Sequence, residues 1–508
     1  MSSNWHRVDA RPDAGAFTKL VFWLIVGTTI FRGIVGATIP LIDDEAYYWL
    51  WAHHLDWSYL DHPPMIAYIV FLTTRGGDSA IWIRLGALLL GAATTYTLFL
   101  LGREMFDARA GFIAAVLFQI TPVLAGGALV ATPDSPLFLA WTLASRYVWQ
   151  ALHGRPRRWA GAGIVVGLGL LSKLNMVFFA VGVVVFLTLY GRRWLVRAGP
   201  YLAAGLAAVL FLPVLYWNAT HNWAMVHFIL SERRGGTPHG LAGIQEILTQ
   251  QLLFALLLFP AFMYAVYAAW QRRADERFGY LLWTSLPPML FALLAAAAAG
   301  APHGNWFGPG YLGLALVLGA LWNRGFALLA GTSAALVLYG FIAPFVSGLP
   351  PLPGAETLYG WREAAARAQQ EVRAFDRRPA VLVADRYQIT AQLAYYTRNT
   401  IPIILLPCPN PASIWPGIQQ FGGADGIAVI DARSHPYVKW ARYFARVQEL
   451  APLTVQFHNR PLRTFRLFRL EGFSPETNCE RLNTLSLRVR PGMWAADGGE
   501  SYFGTVTR

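Results

Sequence analysis

The run Asp43-Asp44-Glu45-Ala46-Tyr47-Tyr48, followed by Tyr59-Leu60-Asp61-His62-Pro63-Pro64, sets five acids or imidazoles among many aromatics, directly after a long apolar segment. Ionised side chains are costly in a bilayer, so acids this dense beside a membrane belong in water or in a polar cavity. A carboxylate here, Asp44 or its neighbour Glu45, suits a general base that takes the proton of an acceptor hydroxyl. Asp61 and His62 add a second carboxylate and an imidazole, the donor types of a divalent metal ion or a phosphate site. Pro63-Pro64 fixes the turn that presents them. The aromatics Tyr47, Tyr48, Trp49, Trp51, Trp57 and Tyr59 have the amphipathic character of a membrane–water interface, so the stretch is expected to form one or two helices lying on that surface.

Four more points carry chemistry or a plainer equivalent. Thr132-Pro133-Asp134-Ser135-Pro136 places Asp134 at a helix start, either as a cap or as a second catalytic acid. Leu171-Ser172-Lys173-Leu174-Asn175 sets Lys173 in apolar sequence, where it must snorkel or meet an anion such as a lipid phosphate. Arg233 and Arg234 follow Ser231-Glu232, and guanidinium forks match phosphate oxygens. Pro302-His303-Gly304-Asn305-Trp306 opens another helix, with Trp306 covering a ligand or anchoring the interface.

The elements that position these residues are membrane helices. Of 508 residues, 55% are hydrophobic and only 14% charged, against about 25% charged in soluble proteins. A span needs about 20 mainly apolar residues. The segments that read so are 18–38, 80–102, 110–131, 135–151, 159–172, 174–190, 200–217, 247–270, 279–300, 308–321 and 325–348. Clusters of Arg lie in alternate loops, around Arg103, Arg155, Arg192 and Arg272, which predicts those loops and the N-terminus on the cytoplasmic side. The acidic run, Asp134, Lys173 and Arg233 then share the opposite face. The small residues of Gly161 to Gly169 fit close helix contact, not a phosphate loop.

After Gly348-Leu349-Pro350-Pro351 the texture changes, so the chain divides into a membrane domain over 1–348 and a smaller outer domain over 349–508. Ala380 to Ala384, Ile401 to Leu406 and Gly426 to Ile430 read as strands, with a helix beginning near Thr390, which makes the second domain α/β. Cys408 and Cys479 both fall in it and have no motif spacing; free thiols or one disulfide both fit. The net charge of +13 is spread over cytoplasmic loops and not gathered in one patch, which excludes a nucleic-acid partner. A transporter would place its polar residues at mid-membrane and show inverted repeats, and neither is present.

In order and spacing these motifs resemble those of the family 39/83-type, GT-C-fold glycosyltransferases, which include protein mannosyltransferases and the bacterial transferases that add aminoarabinose or galacturonate to lipopolysaccharide. Asp44-Glu45-Ala46-Tyr47-Tyr48 with Asp61-His62-Pro63-Pro64 resembles the first-loop signature, Thr132-Pro133-Asp134-Ser135-Pro136 the second-loop acid, and Gly167-Leu168-Gly169-Leu170-Leu171-Ser172-Lys173 the Gly-rich helix ending in Lys. The likeness spans about residues 18–320. It implies a polytopic α-helical membrane protein of GT-C type, about 11–13 spans, with a C-terminal periplasmic α/β domain, in a bacterial inner membrane. It implies transfer of a sugar from a polyprenyl-phosphate donor to an envelope lipid, glycan or protein acceptor, with Asp44 and Asp134 catalytic and Lys173 facing the donor phosphate. Tyr48, His62, Arg233, Arg234 and Trp306 are the further candidates for substrate contact, and Asp61 with His62 for a divalent metal ion. Asp61-His62 departs from the Glu-Lys that aminoarabinose transferases carry before Pro-Pro, and a neutral imidazole is a weaker phosphate ligand than an ammonium.

Overall fold

The computed structural model describes residues 14–232, 240–299, 303–346, 357–375, 380–406, 418–433, 440–457 and 460–475. The helices in chain order begin with α1 (Ala14–Thr38), α2 (Asp43–Ala52), α3 (Met65–Thr73), α4 (Ala80–Met105), α5 (Ala108–Ile120) and α6 (Pro122–Gly127). There follow α7 (Asp134–Leu152), α8 (Arg158–Ser172), α9 (Val177–Tyr190), α10 (Ala198–Thr220), α11 (Ala224–His227), α12 (Leu241–Phe254) and α13 (Leu258–Gln271). The last are α14 (Glu276–Ala299), α15 (Gly308–Ala320), α16 (Arg324–Ile342), α17 (Trp361–Arg373) and α18 (Tyr387–Tyr396).

Every segment expected to be an apolar helix is helical, but few of them are full spans. Among the described residues, 5 helices are long and apolar enough to cross a membrane: α1, α4, α10, α14 and the helix of α16. The expected span over 247–270 is instead α12 and α13, bent by 112° at their break. Leu256 sits in that break with φ 51, a left-handed conformation for a residue with a Cβ, so the chain turns there and does not continue. The expected span over 110–131 is likewise broken into α5 and α6, where Thr121 leaves the helix and Pro122 opens the next.

Two compact units arise, one formed by 1–36, 84–216 and 237–339, the other by 37–83, 217–236 and 340–508. The sequence boundary at 348 is near the last of these divisions, but the second unit also takes in the acidic loop and the loop after α10. In the first unit the Gly-rich stretch does what its small residues suggest. A Cβ at Gly163 would meet the Ala203 carbonyl oxygen at 2.4 Å, and one at Gly167 would meet Leu210 at 2.8 Å, so the α8 backbone lies directly on α10.

The second unit is built on a mixed sheet of β1 (Ala380–Ala384), β2 (Ile403–Leu405), β3 (Asp425–Asp431), β4 (Phe444–Glu449), β5 (Leu453–Phe457) and β6 (Arg460–Phe473), in the order β2-β1-β3-β6-β4, with β5 also on β6. β1 runs parallel to both β2 and β3, with Leu382 opposite Ile403 and Ile427. Those strands are wholly apolar in their middles because both faces are covered. β6 is antiparallel to β3, β4 and β5. The three strands expected from sequence are β1, β2 and β3, and the antiparallel half of the sheet was not expected. Asp431 and Arg463 lock it: the guanidinium lies 2.8 Å from the carboxylate and 4.0 Å from the centre of the Trp361 ring. Cys408 and Cys479 lie outside the described residues.

Candidate active site

The acidic loop begins at α2, whose first turn holds Asp43, Asp44 and Glu45. Three carboxylates stand there because the helix N-terminus presents unpaired N–H groups and a positive dipole end. Glu45 is fully buried and its Oε2 accepts from the Ile42 backbone N–H at 3.1 Å, so it caps the helix it belongs to. Asp44, one residue earlier, is half-buried. Asp43 Oδ1 accepts from the Gln392 amide at 2.9 Å.

The aromatics are not a surface anchor. Tyr47, Tyr48, Trp49, Trp51 and Tyr59 are all buried, and only Trp57, 55% exposed, fits the interfacial expectation. Trp51 and Tyr59 stack at 3.9 Å, Tyr47 packs on Tyr387 at 4.8 Å and Trp49 meets Tyr395 edge-on at 5.3 Å. Interface and interior both favour amphipathic rings, and here packing against α18 decides between them. The Tyr59 hydroxyl donates to the His54 carbonyl at 2.9 Å, and the Trp217 indole N–H donates to Asp56 at 2.8 Å. Those bonds close the loop between α2 and α3, and Pro64 caps α3.

Around this cluster Asp44 and Asp61 share one neighbour. Burial first, then the charge of Asp61 and more weakly that of Asp44, push the Tyr47 phenol well above its usual pKa. Tyr47 therefore stays protonated beside two carboxylates. Tyr48 lies between Trp51 at 5.0 Å and the His62 ring at 6.4 Å. Among the described residues no three His, Cys, Asp or Glu side chains gather to hold a metal ion. Asp61 and His62, the expected ligands of a divalent ion, thus have no third ligand of these types among the described residues.

The first unit holds the other acid. Asp134 is the first residue of α7, with Pro133 as the N-cap and no side-chain capping bond, so it is not the cap. Its Oδ1 accepts from Lys173 Nζ at 2.7 Å and its Oδ2 from the Asn305 amide at 2.8 Å. Lys173 stands where α8 ends, in extended backbone before the short turn Leu174–Met176. It is 5% exposed, so it does not snorkel; it pairs with an acid in the interior. Ser172 Oγ donates to the Pro133 carbonyl at 2.6 Å, tying the two breaks together.

Asn305 escapes a reading for charged residues. It lies in the turn Gly304–Phe307 before α15. Gln251, fully buried, donates to the Gly304 carbonyl at 3.1 Å and accepts from the Tyr311 hydroxyl at 2.8 Å. The only sequence signal was the polar run at a helix start. Trp306, by contrast, stacks on Phe291 at 5.5 Å and packs against the core. Arg233 and Arg234 lie outside the described residues.

The family described as dolichyl-phosphate-mannose-protein mannosyltransferase matches residues 61–217 of the chain. A lipid A galacturonosyltransferase of Rhizobium johnstonii is 28% identical over 396 residues, 74% of this chain and 82% of that protein. An undecaprenyl phosphate-alpha-4-amino-4-deoxy-L-arabinose arabinosyl transferase of Pseudomonas fluorescens is 26% identical over 268 residues, 48% of this chain and 45% of its own length. The structure of ArnT from Cupriavidus metallidurans bound to undecaprenyl phosphate superposes with a TM-score of 0.62 at 14% identity, over 89% of this chain and 98% of that one. The last likeness is one of fold.

Proposed function

We infer that this chain, a membrane glycosyltransferase of the GT-C fold, moves a sugar from a polyprenyl-phosphate donor to a lipopolysaccharide acceptor on the periplasmic face of a bacterial inner membrane. The observation that carries this reading is the likeness to a lipid A galacturonosyltransferase over 396 residues, joined by the fold of a protein that binds undecaprenyl phosphate. Nucleotide sugars are confined to the cytosol, so a transferase working on the outer leaflet draws on a lipid-linked donor.

The resemblance of their motifs to the first-loop acid and to the Gly-rich helix ending in Lys gives Asp44 and Lys173 their roles in this reading. The acceptor hydroxyl oxygen bonds to the anomeric carbon as the bond from that carbon to the phosphate oxygen breaks. The leaving polyprenyl phosphate keeps the electron pair, and Asp44 takes the hydroxyl proton. Attack opposite the leaving group inverts the anomeric centre. Lys173 has N–H groups beyond the one given to Asp134, and these suit the departing phosphate. Asp134, with both oxygens committed, holds that ammonium in place and is not itself the base. Arg233 and Arg234 are further phosphate donors in this reading, while Glu45 serves the helix and not the reaction.

Mass spectrometry of lipid A, core oligosaccharide and secreted glycoproteins from a deletion strain tests this. Loss of one sugar from lipid A or core is expected. An intact lipopolysaccharide with a sugar missing from secreted protein would favour a protein O-glycosyltransferase, the activity in the description of the family that matches 61–217.

A further inference from the structure

One side chain of the C-terminal region hydrogen-bonds the start of α2. Gln392 of α18 is fully buried, and its Nε2 donates to the Leu41 carbonyl at 3.1 Å and to Asp43 Oδ1 at 2.9 Å. Two acceptors around the same atom fix the amide's orientation. One NH2 group thereby spans the last backbone carbonyl before the N-cap Ile42 and the first side chain of the helix. Asp44 is the next residue. Aromatic contacts flank the bridge on either side, Tyr47 with Tyr387 and Trp49 with Tyr395, and the Tyr395 hydroxyl donates to the Asp78 carbonyl at 3.0 Å.

The same amide carries a cost. Among the described residues, Gln392 Oε1 is buried without a hydrogen-bond donor. An unsatisfied buried acceptor destabilises a fold. Leucine at 392 would remove that acceptor but would take a donor from the Leu41 carbonyl and from Asp43, so stability alone does not separate a structural role from a positioning one, and the reaction has to be read as well.

We propose that Gln392 is a positioning residue for the reaction, and that the C-terminal α/β region sets the direction in which the α2 start presents Asp44. The inference rests on the reading of Asp44 as base. It makes the outer region part of the catalytic apparatus, not an appended acceptor platform.

The test uses the full chain in lipid vesicles with a polyprenyl-phosphate sugar donor and lipid A. Gln392→Leu takes a donor from the Leu41 carbonyl and from Asp43, so the Tm is expected to fall; assayed well below that Tm, kcat falls about tenfold or more, as misplacement of a reacting group does, with the donor KM unchanged. Gln392→Glu puts a negative charge beside Asp43, the residue before Asp44, so it moves the acid limb of the kcat/KM profile to higher pH. The double variant Asp43→Asn/Gln392→Glu, in which amide and carboxylate change places, is expected to return that limb towards its original position. Wild-type kcat in Gln392→Leu, or an unmoved acid limb in Gln392→Glu, overturns the inference. Inactive Asp44→Asn alongside wild-type Gln392→Leu overturns the positioning role alone. Active Asp44→Asn overturns the base reading and this inference with it.

Discussion

Asp44 and Asp134 both stand in the first turn of a helix, yet their surroundings differ. Asp134 is held from two sides, by Lys173 at 2.7 Å on one oxygen and by Asn305 at 2.8 Å on the other. Asp44 is half-buried, and its charge, after that of Asp61, helps to keep the buried Tyr47 phenol protonated. A carboxylate that accepts from an ammonium on one oxygen and from an amide on the other is placed to hold that cation. In the proposed reaction Asp134 is the anchor of the Lys173 ammonium and Asp44 is the base.

That division can be broken by substitution. The largest effect is expected at the anchor. Lys173→Met or Asp134→Leu alone leaves a buried charge without its partner and should cost about 3–5 kcal/mol of stability, read by thermal unfolding in detergent. The double variant should recover most of that loss without recovering sugar transfer; a cycle in which the two losses add would show that the pair is not coupled. Asn305→Leu comes next. It strips one donor from an ionised oxygen, and about 1–3 kcal/mol should be lost with Lys173 intact. At the other acid the effects shrink. Glu45→Gln keeps an acceptor for the Ile42 N–H, so stability and turnover should both stay near wild type, whereas Glu45→Leu should cost about 1 kcal/mol, as lost helix caps do. A collapse of turnover in Glu45→Gln at unchanged Tm would return Glu45 to the chemistry.

Much of this was legible beforehand, and the rest was hidden for identifiable reasons. Gly163 and Gly167 announced a close helix contact that the structure shows against Ala203 and Leu210, and the dense acids after the first apolar segment marked the start of α2. The apolar runs of β1 and β3 marked a sheet covered on both faces. Tyr47, Tyr48, Trp49 and Trp51 misled because interface and core select the same side chains; only the arrival of α18 distinguishes them. Hydropathy likewise sees the apolar character of 241–271 but not the 112° bend within it. Asn305 and Gln392 left almost no trace. Each is a neutral amide whose partner is distant in the chain, 171 residues away for Asn305 and 349 for Gln392. No local pattern encodes such a pairing.

The central claim is transfer of a sugar from a lipid phosphate with Asp44 as base. It is tested most directly by incubating the purified chain, as wild type and as Asp44→Asn, with a radiolabelled polyprenyl-phosphate sugar and lipid A in vesicles, and measuring label covalently bound to lipid A. The account predicts labelled lipid A with wild type and a loss of about 10²–10⁴-fold in Asp44→Asn at unchanged thermal stability. Equal labelling by the two proteins would contradict it, as would label that crosses the vesicle membrane without joining lipid A.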